Sequence, residues 1–227
     1  MIETIIASPL FGVLVSFLFF ELGVAIQNRV KSSLANPLLI SAILVMILLK
    51  TMGISYEEYN HGARFISMFL SPCTAVLSVN IYSNFDTLKK HFLPVFLGTA
   101  AASAASLACI YGMCRLFGLT DELLFSLLPK SVTSAIAMPL AAMTGGMESI
   151  LIVAASLTGI FCAMAAPILI KLYRLKDPVA IGVAIGSSGH AIGTTLAIQL
   201  GPVQGAMSGI AIGMTGLLTV LYYAILF

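Results

Sequence analysis

Apolar residues in this chain follow neither the alternation of a half-buried strand nor the one-sided stripe of a surface helix. They continue for about twenty residues at a time and stop at short polar clusters. Eight such runs can be marked, at 9–27, 36–52, 63–82, 92–117, 122–143, 150–173, 178–200 and 203–227. Most approach the roughly 20 residues that a helix needs to cross a hydrocarbon core. The pattern predicts an all-α, polytopic transmembrane helix bundle, with residues 1–227 forming a single integral membrane domain. The polar stretch 53–62 reads as a surface loop. Small residues at Ala100 to Ser106, and Gly205, Gly209 and Gly213 at four-residue spacing, suit close helix contact. The glycine stripe fits a homodimer or higher homo-oligomer seam and fits packing within one bundle equally well.

Two runs are interrupted by polar residues. In the fifth, Pro129-Lys130-Ser131-Val132-Thr133-Ser134 lies between apolar flanks, with Pro139 following. A lysine at the bilayer centre costs about 2.5–3.5 kcal/mol, so it faces a bundle interior or a wet cavity and marks a functional site. Pro129 lacks an N–H and frees carbonyls in the preceding turn, and non-helical backbone at membrane depth is tolerated only where protein or water covers it. This run is therefore expected to be a broken helix at a polar cavity. The alternative is a Lys130 that snorkels to a membrane surface while the hydroxyls bond their own backbone.

The seventh run carries Gly186-Ser187-Ser188-Gly189-His190, then Gly193-Thr194-Thr195 and Gln199. Glycines at 182, 186, 189 and 193 make unwinding cheaper, and they also make close helix contacts of the G-x-x-x-G kind. His190 has no other need to lie at membrane depth. Two interrupted polar segments are the pattern of a transporter site near the bilayer midplane, where helix N-termini present N–H groups to anions. Their mirrored placement about the sixth run hints at an inverted repeat.

Composition supports this picture: the 227 residues are 59% hydrophobic and only 9% charged, and the mean hydropathy is +1.07. Little is left for a soluble domain. The start Met1-Ile2-Glu3-Thr4 lacks the basic region of a cleavable signal peptide, so the first run is expected to stay. No basic cluster is dense enough for nucleic acid. Cys73, Cys109, Cys114 and Cys162 lie in apolar runs without C-x-x-C spacing, which argues for reduced packing residues; neither a metal site nor a cofactor is expected.

Charge placement adds a topological expectation. Arg29 and Lys31, Lys89 and Lys90, and Lys171, Arg174 and Lys176 follow runs one, three and six, yet basic loops belong on one, cytoplasmic, side. Parity is restored if the fifth run re-enters without crossing, which leaves seven crossings and the N-terminus outside. An undetected extra crossing would restore it equally well.

Lys130 beside Ser131, Thr133 and Ser134, with Ser187, Ser188, His190 and Thr194 in the second break, suits a small carboxylate carrying hydroxyl or keto oxygens. Pro129, Gly186, Gly193, Asn80 and Gln199 would support this site. His190 would act as donor or proton carrier. No Asp or Glu lies in either break to serve as acid or base, so no catalytic residue and no enzyme activity is expected. A Ser131–Lys130 dyad is disfavoured because adjacent helical residues point about 100° apart.

Leu128-Pro129-Lys130-Ser131-Val132-Thr133, Gly186-x-x-x-His190-Ala191-Ile192-Gly193-Thr194 and Gly205-Ala206-x-Ser208-Gly209 together resemble the LrgB/CidB family of bacterial membrane proteins. The likeness extends upstream through Asn36-Pro37-Leu38-Leu39 and Gly53-Ile54-Ser55-Tyr56. It implies a multi-pass protein of the bacterial inner membrane that works with a small LrgA/CidA-type membrane partner. Two functions are implied: transport of small monocarboxylates, as in the similar plastidial glycolate/glycerate translocator and in members linked to pyruvate, or antiholin-like regulation of murein hydrolase export and autolysis. The chain departs from the family's usual Pro-Lys-Ser-Val-Thr-Thr-Pro at Ser134-Ala135 and from Gly-Thr-Ala-Ser-His at Ser187-Ser188-Gly189. It also has Gln199 for a customary glutamate, and Val79-Asn80-Ile81 for an apolar-proline pattern. These changes bear on substrate identity and on proton coupling. The resulting expectation is a carrier or facilitator of pyruvate-, glycolate- or glycerate-type anions in a lipid bilayer; the alternative is a pore regulator without a substrate.

Overall fold

The computed structural model describes residues 8–30, 36–69 and 85–227, together with 6, 72, 75, 76, 79, 82 and 83. Helices and turns account for the described residues, among which there is no strand, and five helices are long and apolar enough to cross a membrane. The protein is an all-α polytopic bundle. Its chain divides into two compact units, Met1–Cys73 and Thr74–Phe227.

In the first unit, α1 (Pro9–Val30) packs on α2 (Pro37–Met52) and α3 (Tyr56–Ser67). Asn36 caps α2 by accepting from the Leu38 N–H at 2.9 Å, and Gly53 ends it with a φ of 67°, a conformation open to glycine. A Cβ on Gly62 would strike the Pro9 carbonyl oxygen, so the glycine allows α3 to lie directly on α1. Ser16 and Tyr59 share a hydrogen bond of 2.7 Å across this contact.

Helix α3 corrects the expected loop at 53–62. Ser55 and Glu58 form a capping box: the Glu58 N–H donates to Ser55 Oγ at 3.2 Å, and the Ser55 N–H and hydroxyl both donate to the Glu58 carboxylate at 2.8 Å. These two donors hold the Glu58 carboxyl below its ordinary range. A carboxyl lowered in the folded state stabilises above its unfolded value, and that contribution fades as pH falls through the folded value. Acidification should therefore fray the start of α3. Hydrogen exchange, corrected for intrinsic rates, should lose protection at 56–62 with falling pH, and Ser55→Ala should flatten that dependence; equal protection at every pH would contradict it.

The second unit holds α4 (Phe85–Lys90), α5 (Phe92–Leu116), α6 (Asp121–Leu127), a 3₁₀ turn (Leu128–Ser131), α7 (Ser134–Met143), α8 (Glu148–Leu172), α9 (Pro178–Leu200) and α10 (Pro202–Leu226). The fifth hydrophobic run is a hairpin. The Met147 N–H donates to Ser126 Oγ at 2.6 Å, and a Cβ on Gly146 would lie 2.7 Å from the Ser126 nitrogen. A straight helix would hold residues 126 and 147 about 30 Å apart. The chain goes in along α6, turns through the 3₁₀ element and extended Val132 (φ −126°, ψ 166°), and returns along α7. Pro129 begins the turn, and Gly145, at φ 79°, ends the return arm. The ten residues of α7 span about 15 Å, half of a hydrocarbon core.

The seventh run also turns back, at His190 (φ 49°, ψ −141°). A Cβ on Gly182 would lie 2.6 Å from the Gln204 carbonyl oxygen, while one on Gly205 would lie 2.9 Å from Ile198 Cγ1. Residues 182 and 198 thus meet neighbouring positions of α10, although a straight helix would separate them by about 24 Å. A Cβ on Gly193 would likewise lie 3.1 Å from Ile185 Cγ2, and Ile181 clusters with Ala197. Arms 178–189 and 191–200 are therefore antiparallel. Of the seven crossings expected, the seventh run makes none.

Both hairpins fit one plan. Leu107, Ile110 and Cys114 of α5 cluster with Leu124, Leu128, Leu140 and Tyr223 at the end where the first hairpin enters. Leu88, Val95, Val179, Val183 and Met207 cluster at the opposite end, where the second enters. A crossing helix followed by a half-depth hairpin thus occurs twice in opposite directions, as α5 with α6–α7 and α8 with α9. This is the inverted repeat hinted at by the sequence. Lys89 and Lys90 precede α5, Lys171 lies in the last turn of α8, and Arg174 and Lys176 follow it, so within this unit they share one end, as the re-entrant fifth run requires. Gly205 packs on Ile198 of its own unit.

Candidate functional site

The hairpin tips meet. Lys130 lies on the 3₁₀ turn because Pro129 and extended Val132 prevent α6 from continuing. The His190 Nε2–H donates to the Lys130 carbonyl oxygen at 3.1 Å. The half-buried Lys130 ammonium donates to Thr158 Oγ1 at 3.2 Å, and that hydroxyl donates to the Ala154 carbonyl at 2.8 Å. Thr158 stands midway along α8, so Lys130 reaches the middle of a crossing helix and does not snorkel past its end. Ser131 bonds Ser106, midway along α5.

The second hairpin is tied to α10 as closely. Thr194 Oγ1 bonds the His190 carbonyl oxygen at 2.8 Å and Ser208 Oγ at 2.7 Å. A Cβ on Gly186 would collide with the Ser208 carbonyl oxygen and lie 2.7 Å from its Cα. Both readings of the glycines hold: 182 and 186 allow close packing on α10, while the break falls at His190. Gly193 gives the return arm room against Ile185.

The expected residues do not all converge. Lys130, Ser131, His190 and Thr194 are joined across or beside the tips. Thr133 occupies the N-cap position of α7 and Ser134 its first turn; both are half-buried, and among the described residues their hydroxyls have no hydrogen-bond partner. Buried Ser187 turns back to the Ala184 carbonyl at 3.3 Å, and Ser188 is exposed along the outer arm. Gln199, exposed near the base of the return arm, stands away from the tip, because nine residues of helix span about 13 Å. Asn80 lies outside the described residues.

Sequence reasoning missed Thr158 and assigned Ser106 to small-residue packing alone. Their one signal is a hydroxyl near the middle of an apolar run, which ordinarily bonds its own turn. It also missed the buried pair Ser103 and Thr219, 2.6 Å apart, joining α5 to α10. Among the described residues no group of three or more His, Cys, Asp or Glu could hold a metal ion.

Chemically, the junction offers one cation, flexible hydroxyls and the N-terminal ends of two return arms, α7 and 191–200. The first N–H groups of such arms lack intrahelical partners and carry the positive end of the helix dipole. An anion is the charge that this arrangement favours.

Comparison with known proteins agrees with the sequence motifs. The LrgB-like family model matches residues 16–227. The antiholin-like protein LrgB of Bacillus mycoides (strain KBAB4) is 32% identical over 214 residues, covering 94% of this chain and 93% of the relative. The Bacillus subtilis (strain 168) protein of that name is 33% identical over 215 residues with the same coverage. No solved structure matches. The chain belongs to the LrgB-like family.

Proposed function

We propose that this member of the LrgB-like family carries small monocarboxylates of the pyruvate, glycolate or glycerate type across a bacterial cytoplasmic membrane. The supporting observation is the meeting of two opposed half-depth hairpins at Lys130. Discontinuous helices are used in this way by carriers that bind substrate at the midplane. Lys130 pairs with the carboxylate, exchanging part of its contact with Thr158, and Ser131, Thr133 and Ser134 read the remaining oxygens. No bond is made or broken in the substrate. The end bearing Lys89, Lys90, Lys171, Arg174 and Lys176 faces the cytoplasm, so the Lys130 hairpin enters from the outer side and the His190 hairpin from the inner. A small LrgA/CidA-type membrane protein acts with it.

A second reading is favoured by the name of the relatives, antiholin-like protein LrgB: a pore regulator that has no substrate. Uptake of labelled pyruvate, glycolate and glycerate into proteoliposomes, with and without the small partner, separates the two. Saturable uptake is expected. Folded protein that takes up none of the three under either condition would overturn the carrier reading and leave the regulator.

A further inference from the structure

We propose that the His190 ring is a latch that holds the two hairpin tips together, so that it sets the rate of exchange between membrane faces and not the affinity for substrate. Its Nε2–H bond to the Lys130 carbonyl is, among the described residues, the one hydrogen bond that joins the hairpins. The carbonyl needs this donor. Among the described residues no backbone N–H of the turn is seen donating to it: that of Val132 goes to Pro129, and those of Ile136 and Ala137 go to Thr133. His190 is only 7% exposed and Lys130 is half-buried, so separating the tips would leave a buried donor, and an acceptor on a half-buried residue, unpaired until water or substrate arrived.

The backbone makes the same point. At φ 49° and ψ −141°, His190 occupies a conformation that glycine adopts freely and other residues adopt at a cost. Gly189 is its neighbour, yet the histidine stands in the turn. A reversal built only to turn the chain would be served better by glycine, so the position keeps its ring for what the ring holds. Thr194 fixes the other side by bonding the His190 carbonyl. Opposed hairpins can open a route to one face only if their tips part, and this bond must break for that to occur.

The consequence for transport rests on the carrier reading, but tip opening can be measured without it. In protein whose natural cysteines are replaced, Ala135→Cys places a thiol at the start of the α7 arm beside the tip. Its labelling by a membrane-impermeant maleimide is followed in proteoliposomes without substrate. His190→Gly keeps the turn and removes the ring, and should raise the labelling rate roughly fivefold, the population shift from loss of one hydrogen bond. His190→Gln, whose amide nitrogen reaches about as far as Nε2, should restore slow labelling, and the shorter His190→Asn should not. Equal labelling in parent and His190→Gly, both monodisperse, would overturn the latch. In uptake with the natural cysteines present, His190→Gly should change the maximal rate with little change in KM; a shift in KM alone would make His190 a substrate contact. Faster labelling in a protein that takes up no carboxylate would sustain the latch and defeat the carrier.

Discussion

Lys130→Gln is expected to lower carboxylate uptake by about one to two orders of magnitude while leaving a protein that is folded and no less stable. Replacing an ammonium by an amide removes a charge-assisted bond worth about 1.5–3 kcal/mol, so transport efficiency should fall about ten- to a hundredfold. Stability should move the other way. The half-buried ammonium has one hydroxyl partner, Thr158, and among the described residues no carboxylate faces it. Keeping such a charge at membrane depth costs about 2.5–3.5 kcal/mol, which a neutral amide largely avoids. Thermal midpoints in detergent and uptake in proteoliposomes check the two halves separately. Lost uptake together with a lower midpoint would mean that Lys130 holds the fold; undiminished uptake would remove it from the substrate path.

Gly186→Val should have the largest effect on folding. A Cβ at this position already collides with the Ser208 backbone, which has no rotamer by which to withdraw. Overpacking costs typically about 1–3 kcal/mol where side chains can yield. Here α9 and α10 must separate, which also breaks the Thr194–Ser208 bond of 2.7 Å. The expected outcome is little monodisperse protein. Gly112→Ala is the control: nothing lies within 4 Å of its added Cβ, so it should be neutral or stabilising, by up to about 1 kcal/mol of helix propensity. A Gly186→Val protein that melts at the parental temperature would contradict the close packing.

Prominent features were visible in particular residues. Lys130 stood out because a lone lysine between apolar flanks is expensive, and Pro129 announced the break beside it. His190 stood out among glycines for the same reason. The start of α3 is written in Ser55-x-x-Glu58, a capping signal that reading 53–62 as a loop from its polar composition passed over. Apolar periodicity could not show that 178–200 reverses, because two ten-residue arms and one straight helix have the same composition, and the difference lies in the dihedral angles of His190. Nor could it choose Thr158 and Ser106 from the other hydroxyls in apolar helices.

By itself the sequence determined the all-α class, most of the long helices to within a few residues, the family and the two polar breaks, since each depends on local chemistry: helix formation in lipid, the cost of buried charge and the missing proline N–H. The tertiary structure alone decided the second reversal, the opposed entry of the hairpins and the partners of Lys130 and His190. Those depend on which distant surfaces pack together, and Ser208 approaching a glycine twenty-two residues earlier is a relation between positions that neither position carries alone.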